Sequence, residues 1–309
     1  MQQLTENWKL VTRNWKLVTG NWKLATGNWQ HSTNNIMSQQ LPTGKVIIAG
    51  AGSGDPELIT VKAARYLQQA DVVLTDRLVS EIILKDYIRP DAEVICVGKQ
   101  YEKNGSTAQQ DINQLLVHYA SQGKLIVRLK GGDVTIFSNI FDELQTLVEH
   151  HIPYEIVPGV TAALGAAAYA GIPLTARGYA VSVRFLTYYK SDIVTDEYWK
   201  ELANTHDTLV LYMSSSTLDT VVEKLLSHGI GTDKQIAVVE QATTPLQQVY
   251  TSGVHEYSNT LANRSFLSPS LVIIGKVVAL HQQFAWFQNE NNETEHYFKP
   301  IINTIQHDK

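Results

Sequence analysis

Cysteine is almost absent from this sequence: Cys96 is the only one in 309 residues. A single cysteine excludes an intramolecular disulfide, and its apolar setting in "AEVICVG" fits an inert strand residue, which suits a reducing cytoplasm. Long apolar runs are missing as well. None reaches the roughly 18 residues that a membrane span needs, and no signal-type hydrophobic region opens the chain. Metal-ligand spacing is absent despite ten histidines. There is no His-Glu-x-x-His and no Cys/His cluster, and His150-His151 are neighbours near an expected helix end, so no metal is expected. Positive charge is scarce. Lys and Arg number 25 against 30 Asp and Glu, a net charge of -5, which excludes the broad basic field that draws proteins to nucleic acid or anionic lipid. Any anionic ligand must be met by a local basic cluster.

What is present is a composition of 44% hydrophobic and 18% charged residues, enough for a large core and two domains of ordinary size. Residues 1–40 stand apart. The units "NWKLVTR", "NWKLVTG", "NWKLATG" and "NWQHSTN" hold four of the six tryptophans, yet Gly20 and Gly27 recur where a coiled coil would need helix formers. A membrane-surface anchor is one reading, because Trp and Lys recur together. Translated repetitive DNA, disordered and followed by a start at Met37, is the preferred expectation.

From Lys45 onward apolar runs alternate with helical patterns. "KVIIAG", "DVVLT", "EVICV" and "KLIVRL" read as buried parallel strands, with helices expected over Glu57 to Gln69, Val79 to Asp86, Ala108 to Ser121 and Phe137 to His150. "IPYEIVPG" adds a strand and a break at Pro158-Gly159, followed by the small-residue helix "VTAALGAAAYAG". Strands at "AVSVRFLTYY", "DTLVLYM", "QIAVVEQA", "QQVYTSG" and "SLVIIGKVVAL" predict a second, mixed sheet. The expected organisation is an α/β domain over 44–157, a second over 158–284, and a loosely held polar tail over 285–309.

Two glycine motifs carry candidate chemistry. "IIAGAGSGDPELIT" is a strand followed by a turn at Gly50, Gly52 and Gly54, but Asp55 stands where a dinucleotide fingerprint needs its last glycine and would repel a pyrophosphate. A helix cap by Asp55, with Pro56 in the first turn, is the plain structural role. "RLKGGD" places Gly131, Gly132 and Asp133 directly after a strand. Bare backbone there lets a ligand approach closely, while a tight turn capping the next helix is the alternative.

The order of segments says more than any one of them: "GAGSGDPELITVKAARYLQQADVVLTDRLVS", "VGK", "RLKGGD", "VPGVTAALGAAAYAGIPLT", "LVLYM", "VVEQATTP". From Lys45 to Leu280 the chain resembles the tetrapyrrole methylases, most closely those that C-methylate uroporphyrinogen III. The resemblance implies a two-domain α/β enzyme, a homodimer, with its active site in the cleft between the domains. It implies transfer of methyl groups from S-adenosylmethionine to two pyrrole rings of uroporphyrinogen III, giving a precorrin-2 product on the way to sirohaem or cobalamin, with a separate dehydrogenase and ferrochelatase downstream. Asp76 matches the family's general base and Lys99 its proton donor. Ser53, Gly131, Gly132, Asp133, Ile136, Thr161, Ala162, Met213 and Ala242 fall at cofactor positions. For a substrate bearing eight carboxylates, Arg77 and Arg177 rank first among cations that include Arg128, Lys130 and Arg184. A cap for Asp76, a solvated charge for Lys99 and plain core for the apolar members remain the structural alternatives.

The likeness thins after Asp133. The family's proline, two apolar residues and glycine-arginine-glycine-glycine-glutamate become Val134, Thr135, Ile136, Phe137, Ser138, Asn139, Ile140, Phe141, Asp142 and Glu143, and the arginine is lost to Asn139. Ser53, Thr75, Ala176 and Tyr188-Tyr189 also depart from the pattern. A remodelled substrate loop, a different tetrapyrrole such as a later corrin precursor, or a cofactor-binding protein without turnover are the three readings this leaves.

Overall fold

The computed structural model describes residues 44–97, 109–188, 194–289 and 295–298. The N-terminal repeat and Lys99 lie outside the described residues. Five strands build the first sheet: β1 (Lys45–Gly50), β2 (Val72–Thr75), β3 (Glu93–Cys96), β4 (Leu125–Lys130) and β5 (Tyr154–Val157). They lie in the order β3-β2-β4-β1-β5, and every pairing is parallel. Four helices connect them: α1 (Val61–Leu67), α2 (Glu81–Tyr87), α3 (Gln109–Ser121) and α4 (Phe141–Glu149).

Side-chain alternation explains the layers. Along β1, Val46 and Ile48 join Ile112 and Leu116 of α3 and Leu147 of α4, while Ile47 and Ala49 join Ala63 and Leu67 of α1 and Ile83 of α2. Both faces of the sheet are therefore covered at its centre, where β1 and β2 are apolar and buried. The chain leaves β1 towards β2 and leaves β4 towards β5, in opposite directions, so right-handed crossovers place α1 and α4 on opposite faces. A crevice opens at such a switch point, beyond the carboxyl ends of the strands. Here it falls at Gly50–Gly54 and Gly131–Asp133.

The second sheet contains β6 (Val183–Thr187), β7 (Thr208–Tyr212), β8 (Gln235–Glu240), β9 (Gln248–Gly253) and β10 (Ser270–Gly275), in the order β6-β7-β10-β8-β9. Only β6 and β7 run parallel. Helix α5 (Ala162–Tyr169) packs on one face against Val210, Tyr212, Val239 and Ile273. Helices α6 (Asp196–Asn204) and α7 (Leu218–Ser227) cover the other through Trp199, Leu202 and Val221. Short helices α8 (Tyr257–Thr260) and α9 (His281–Phe284) complete the set. An α/β fold with a parallel first sheet and a mixed second one is what the sequence predicts.

Two helix starts differ from expectation. The helix expected from Glu57 is a 3-10 turn, Pro56–Leu58, capped by the Asp55 carboxylate on the Glu57 amide at 2.9 Å; α1 starts afresh behind Thr60, whose hydroxyl accepts from Ala63. Helix α4 begins at Phe141 rather than Phe137, because Phe137 and Asn139 hold φ of 50° and 53°, outside the helical region.

The tail expected to be loosely held is pinned in its described parts. The Trp286 indole donates to the carbonyl of Ala168, and Asn289 donates to that of Gln247. Further on, Gln241 exchanges hydrogen bonds with Glu295 and Tyr297, Tyr297 meets Ser80 at 2.8 Å, and Phe298 is only 5% exposed.

Gly50, Gly132 and Gly159 meet backbone to backbone. A Cβ on Gly159 would strike the Gly132 carbonyl oxygen and lie 2.9 Å from Gly50 Cα. Gly159→Ala is expected to cost about 1–3 kcal/mol through overpacking, seen as a lower urea midpoint with an unchanged slope. An unchanged midpoint would contradict the tight crossing.

Candidate active site

The glycine crossing fixes the loops that leave β1, β4 and β5. Gly52 and Gly132 pair through two backbone hydrogen bonds of 3.2 and 2.7 Å, and Ala51 donates to the carbonyl of Lys130. Gly131 lies against Leu78, where a Cβ would come within 2.8 Å of backbone, so the Asp76–Leu78 loop is held to the same crossing. Gly132 differs from its neighbours. With φ at 71°, an added Cβ would meet only the amide nitrogen of Ala162, at 3.8 Å, so this backbone face opens towards the start of α5.

Asp133 is buried and committed within the loop. Its Oδ1 accepts from the Thr135 amide at 2.8 Å and the Thr135 hydroxyl at 2.5 Å, and its Oδ2 accepts from the Gly159 amide at 2.8 Å. Burial pushes its pKa up, but the hydrogen bonds from Thr135, Gly159 and Ile136 outweigh burial and hold the carboxyl below its ordinary value. A ligand ammonium or hydroxyl would share an oxygen that already has protein partners.

Around the open face of Gly132 the structure gathers several of the expected cofactor residues. Ile136 and Ala162 pack against the same apolar cluster that contains Ala242 and Tyr212. Thr161 meets the Tyr212 hydroxyl at 2.6 Å, and the Ala163 amide donates to that hydroxyl at 3.0 Å. Phe137 stacks on Tyr212 with ring centroids 4.9 Å apart. Met213 follows, 49% exposed. Ser53 contacts Thr243 at 3.3 Å, and the Thr243 hydroxyl also accepts from the Asp55 amide. Four non-glycine residues here, Phe137, Met213, Gln241 and Thr243, hold φ between 48° and 66°. Strained backbone of this kind concentrates where a ligand shapes the chain.

Tyr212 is a residue that sequence reasoning missed. The signal was available: alternation along β7 puts Tyr212 on the same face as Val210, towards α5, and a buried tyrosine needs a polar partner. An apolar hollow beneath α6, lined by Leu186, Trp199, Leu209 and Leu225, lies on the other face of the second sheet and has no charged group in its lining.

The expected bases and cations are placed unevenly. Asp76 follows β2, and its Oδ1 accepts from the Arg128 guanidinium at 2.6 Å; its Oδ2 accepts no hydrogen bond among the described residues. Arg128 is 2% exposed, with further bonds to Glu143 at 3.2 Å and to the carbonyls of Leu74 and Leu129. Lys130 donates to the same Glu143 oxygen at 3.1 Å. Arg128 and Lys130 are thus engaged in buried pairs, and Arg184 is taken by Glu201 and Asp207, which removes these three from the expected substrate-facing cluster. Arg77 is half-buried next to Asp76; burial lowers its pKa, and its one described hydrogen bond is a long one, 3.5 Å, to the carbonyl of Phe298. Arg177 is exposed in a tight turn closed between Ala176 and Ala180. Glu143 is the second missed residue. An acid in the first turn of a helix reads as a partner of the helix dipole, and only the fold turns it onto β4.

Asp133→Asn replaces one acceptor with a donor that must face an amide or hydroxyl, and is expected to cost about 1–3 kcal/mol. The native carboxyl lies below its ordinary pKa near 3.8. Its contribution is therefore complete above about pH 4 and declines as pH falls through the lower folded value. Urea unfolding of both proteins from pH 7 to pH 3 should show the difference narrowing on the acid side; a gap independent of pH would contradict this.

Comparison with known proteins now adds to the geometry. The family model described as "Tetrapyrrole (Corrin/Porphyrin) Methylases" matches residues 45–257. A siroheme synthase of Nitrosomonas europaea is 44% identical over 252 residues, covering 82% of this chain and 53% of the relative; the chain spans about half the length of the curated relatives it matches. Among solved structures, the uroporphyrin-III C-methyltransferase of Thermus thermophilus complexed with S-adenosyl homocysteine is 34% identical with a TM-score of 0.63, covering 76% of this chain and 93% of that one. A cobalt precorrin-4 methyltransferase is 28% identical with a TM-score of 0.67, over 76% and 95%. With that match, and with the glycine crossing and the Asp76 loop in place, the chain belongs to the tetrapyrrole methylases.

Proposed function

We propose that this chain is an S-adenosylmethionine-dependent C-methyltransferase acting on two pyrrole rings of uroporphyrinogen III, with a precorrin-2 product. The observation that carries the reading is Asp76: one carboxylate oxygen is clamped by a buried arginine and the other accepts nothing from the described chain, beside the glycine cradle.

The cradle fits the methyl donor. Gly132 presents an open backbone face, Gly131 holds it against Leu78, Ile136, Ala162 and Ala242 give an apolar wall, Thr161 gives a hydroxyl, and Met213 is adaptable filler. When bound, S-adenosylmethionine supplies an electrophilic methyl on a sulfonium. The chain's share of the work is alignment, which is worth roughly 7–11 kcal/mol when reacting atoms are held in line. As the pyrrole carbon takes the methyl, the bond to sulfur breaks with its electrons on sulfur, and the methylated ring carries a positive charge until it loses a proton. Asp76 Oδ2 is the acceptor we assign to that proton. Lys99 is assigned to proton donation on the strength of the family pattern alone.

Arg77 is the favoured partner for a substrate carboxylate, because it is a half-buried guanidinium whose one hydrogen bond among the described residues is long. Arg177, exposed, is the second. Asn139 favours one alternative reading. It is exposed at φ 53° in place of the family's arginine, so a tetrapyrrole with fewer carboxylates, such as a later corrin precursor, would lose less there. A homodimer in the cytoplasm, with a separate dehydrogenase and ferrochelatase consuming the product, completes the reading; no described helix is long and apolar enough to cross a membrane.

Asp76→Ala should lower labelled methyl transfer to uroporphyrinogen III by about 100-fold or more, the usual contribution of a positioned proton acceptor, while calorimetric affinity for S-adenosylhomocysteine stays within about twofold. Full turnover in the variant would remove Asp76 from the mechanism.

A further inference from the structure

Helix α4 places a fully buried carboxylate, Glu143, over β4. Along β4, Ile126, Arg128 and Lys130 share one face by the two-residue period of a strand, and Ile126 packs with Leu147 of α4. Two buried cations therefore point at the helix that carries Glu143. Both bond to the same oxygen: Arg128 Nε at 3.2 Å and Lys130 Nζ at 3.1 Å. Through Nη2 Arg128 also reaches Asp76 at 2.6 Å, and Nη1 donates to the carbonyls of Leu74 and Leu129. Asp76, Arg128, Glu143 and Lys130 form one chain of alternating sign. Only Asp76 extends to the crevice.

Stability does not account for this arrangement. Buried ion pairs are often matched or bettered by apolar residues of the same volume, and here the second oxygen of Glu143 is buried with no hydrogen-bond partner among the described residues. A carboxylate left half-satisfied in a core calls for another explanation. Geometry gives one. A guanidinium held at Nε by Glu143 and at Nη1 by two carbonyls has a single orientation, and that orientation fixes Oδ1 of Asp76 and leaves Oδ2 with no donor among the described residues.

We propose that Glu143 is a positioning residue for methyl transfer: together with Lys130 it locks Arg128, and through Arg128 it holds Asp76 in the pose from which Oδ2 takes the proton. The proposal rests on the assignment of Asp76 above. The altered loop runs directly into helix α4, whose first turn carries Glu143.

The test is a double-mutant cycle measured by single-turnover methyl transfer. Glu143→Gln keeps the volume and removes the charge. It should slow transfer by about 10- to 100-fold, the scale of an ångström-sized misplacement, with affinity for S-adenosylhomocysteine within about twofold. In an Asp76→Asn background the same change should cost nothing further, since residues acting as a unit are non-additive. Additive losses, or full activity in Glu143→Gln, would overturn the proposal. Lys130→Gln combined with Glu143→Gln keeps the buried charge balanced and serves if the single variant does not fold; it should show the same loss. A crystal structure of either variant gives a readout independent of turnover: the Arg128 to Asp76 contact should lengthen beyond hydrogen-bond distance, and an unchanged contact would refute the lock. If the wild type transfers no methyl to uroporphyrinogen III, the functional reading fails and the crystal structure still decides the role of Glu143.

Discussion

The organisation of the site depends on one steric constraint: Gly50, Gly132 and Gly159, from the ends of β1, β4 and β5, cross so closely that a Cβ on Gly50 or Gly159 would strike the Gly132 carbonyl oxygen. Parallel strands of a doubly covered sheet send their loops out at one end, and at the switch point those loops would ordinarily diverge. Bare backbone lets them converge. The convergence sets the hydrogen bonds of Gly52 with Gly132, brings the Gly159 amide to Asp133, and holds the open side of Gly132 towards α5. Without it the loop after β4 would lack the brace that fixes Asp133 and, beyond it, Ile136.

Charge is placed with the same economy. An acidic chain has few cations to spend on an anionic substrate, and two of the best placed, Arg128 and Lys130, are committed to carboxylates on α4 and beside β2. Breaking such a pair by removing one partner costs about 3–5 kcal/mol, whereas replacing the whole set by apolar residues is often neutral. The network is therefore better understood as geometry than as stability. Its outer member, Asp76, has a fixed oxygen and one that accepts no hydrogen bond among the described residues, and Arg77 beside it is half-buried with one long described hydrogen bond. A second sheet contributes Tyr212, Met213 and the Gln241–Thr243 turn, whose left-handed backbone closes the other side.

Much of this was legible in the sequence. The strands of the first sheet read directly because β1 and β2 are buried on both faces with apolar runs and β4 opens on Leu125, Ile126 and Val127, and the Pro158-Gly159 break marked where β5 ends. Glycine spacing announced the bare backbone, and motif order identified the family. Asp55 as a cap was visible from its proline neighbour. What the residues could not announce was commitment. Arg128 and Lys130 look like available charge in "RLK", and only the packing of α4 on β4 shows that Glu143 consumes them. Tyr212 was readable from the alternation of β7, but its partners Thr161 and Ala163 come from a distant helix start. The described part of the tail was hidden for a related reason: "NENNETEHYFKP" has no period, and Tyr297 and Phe298 within it are held through Ser80, Gln241 and burial rather than through regular structure.

The departure at Asn139 leaves the cradle and the Asp76 lock intact and alters the loop between them, so substrate choice is where the account is most exposed. The decisive measurement is the mass of the product formed anaerobically from uroporphyrinogen III and labelled S-adenosylmethionine. A gain of two methyl groups is the result the account requires. An unchanged substrate, in a preparation that binds S-adenosylhomocysteine, would contradict it.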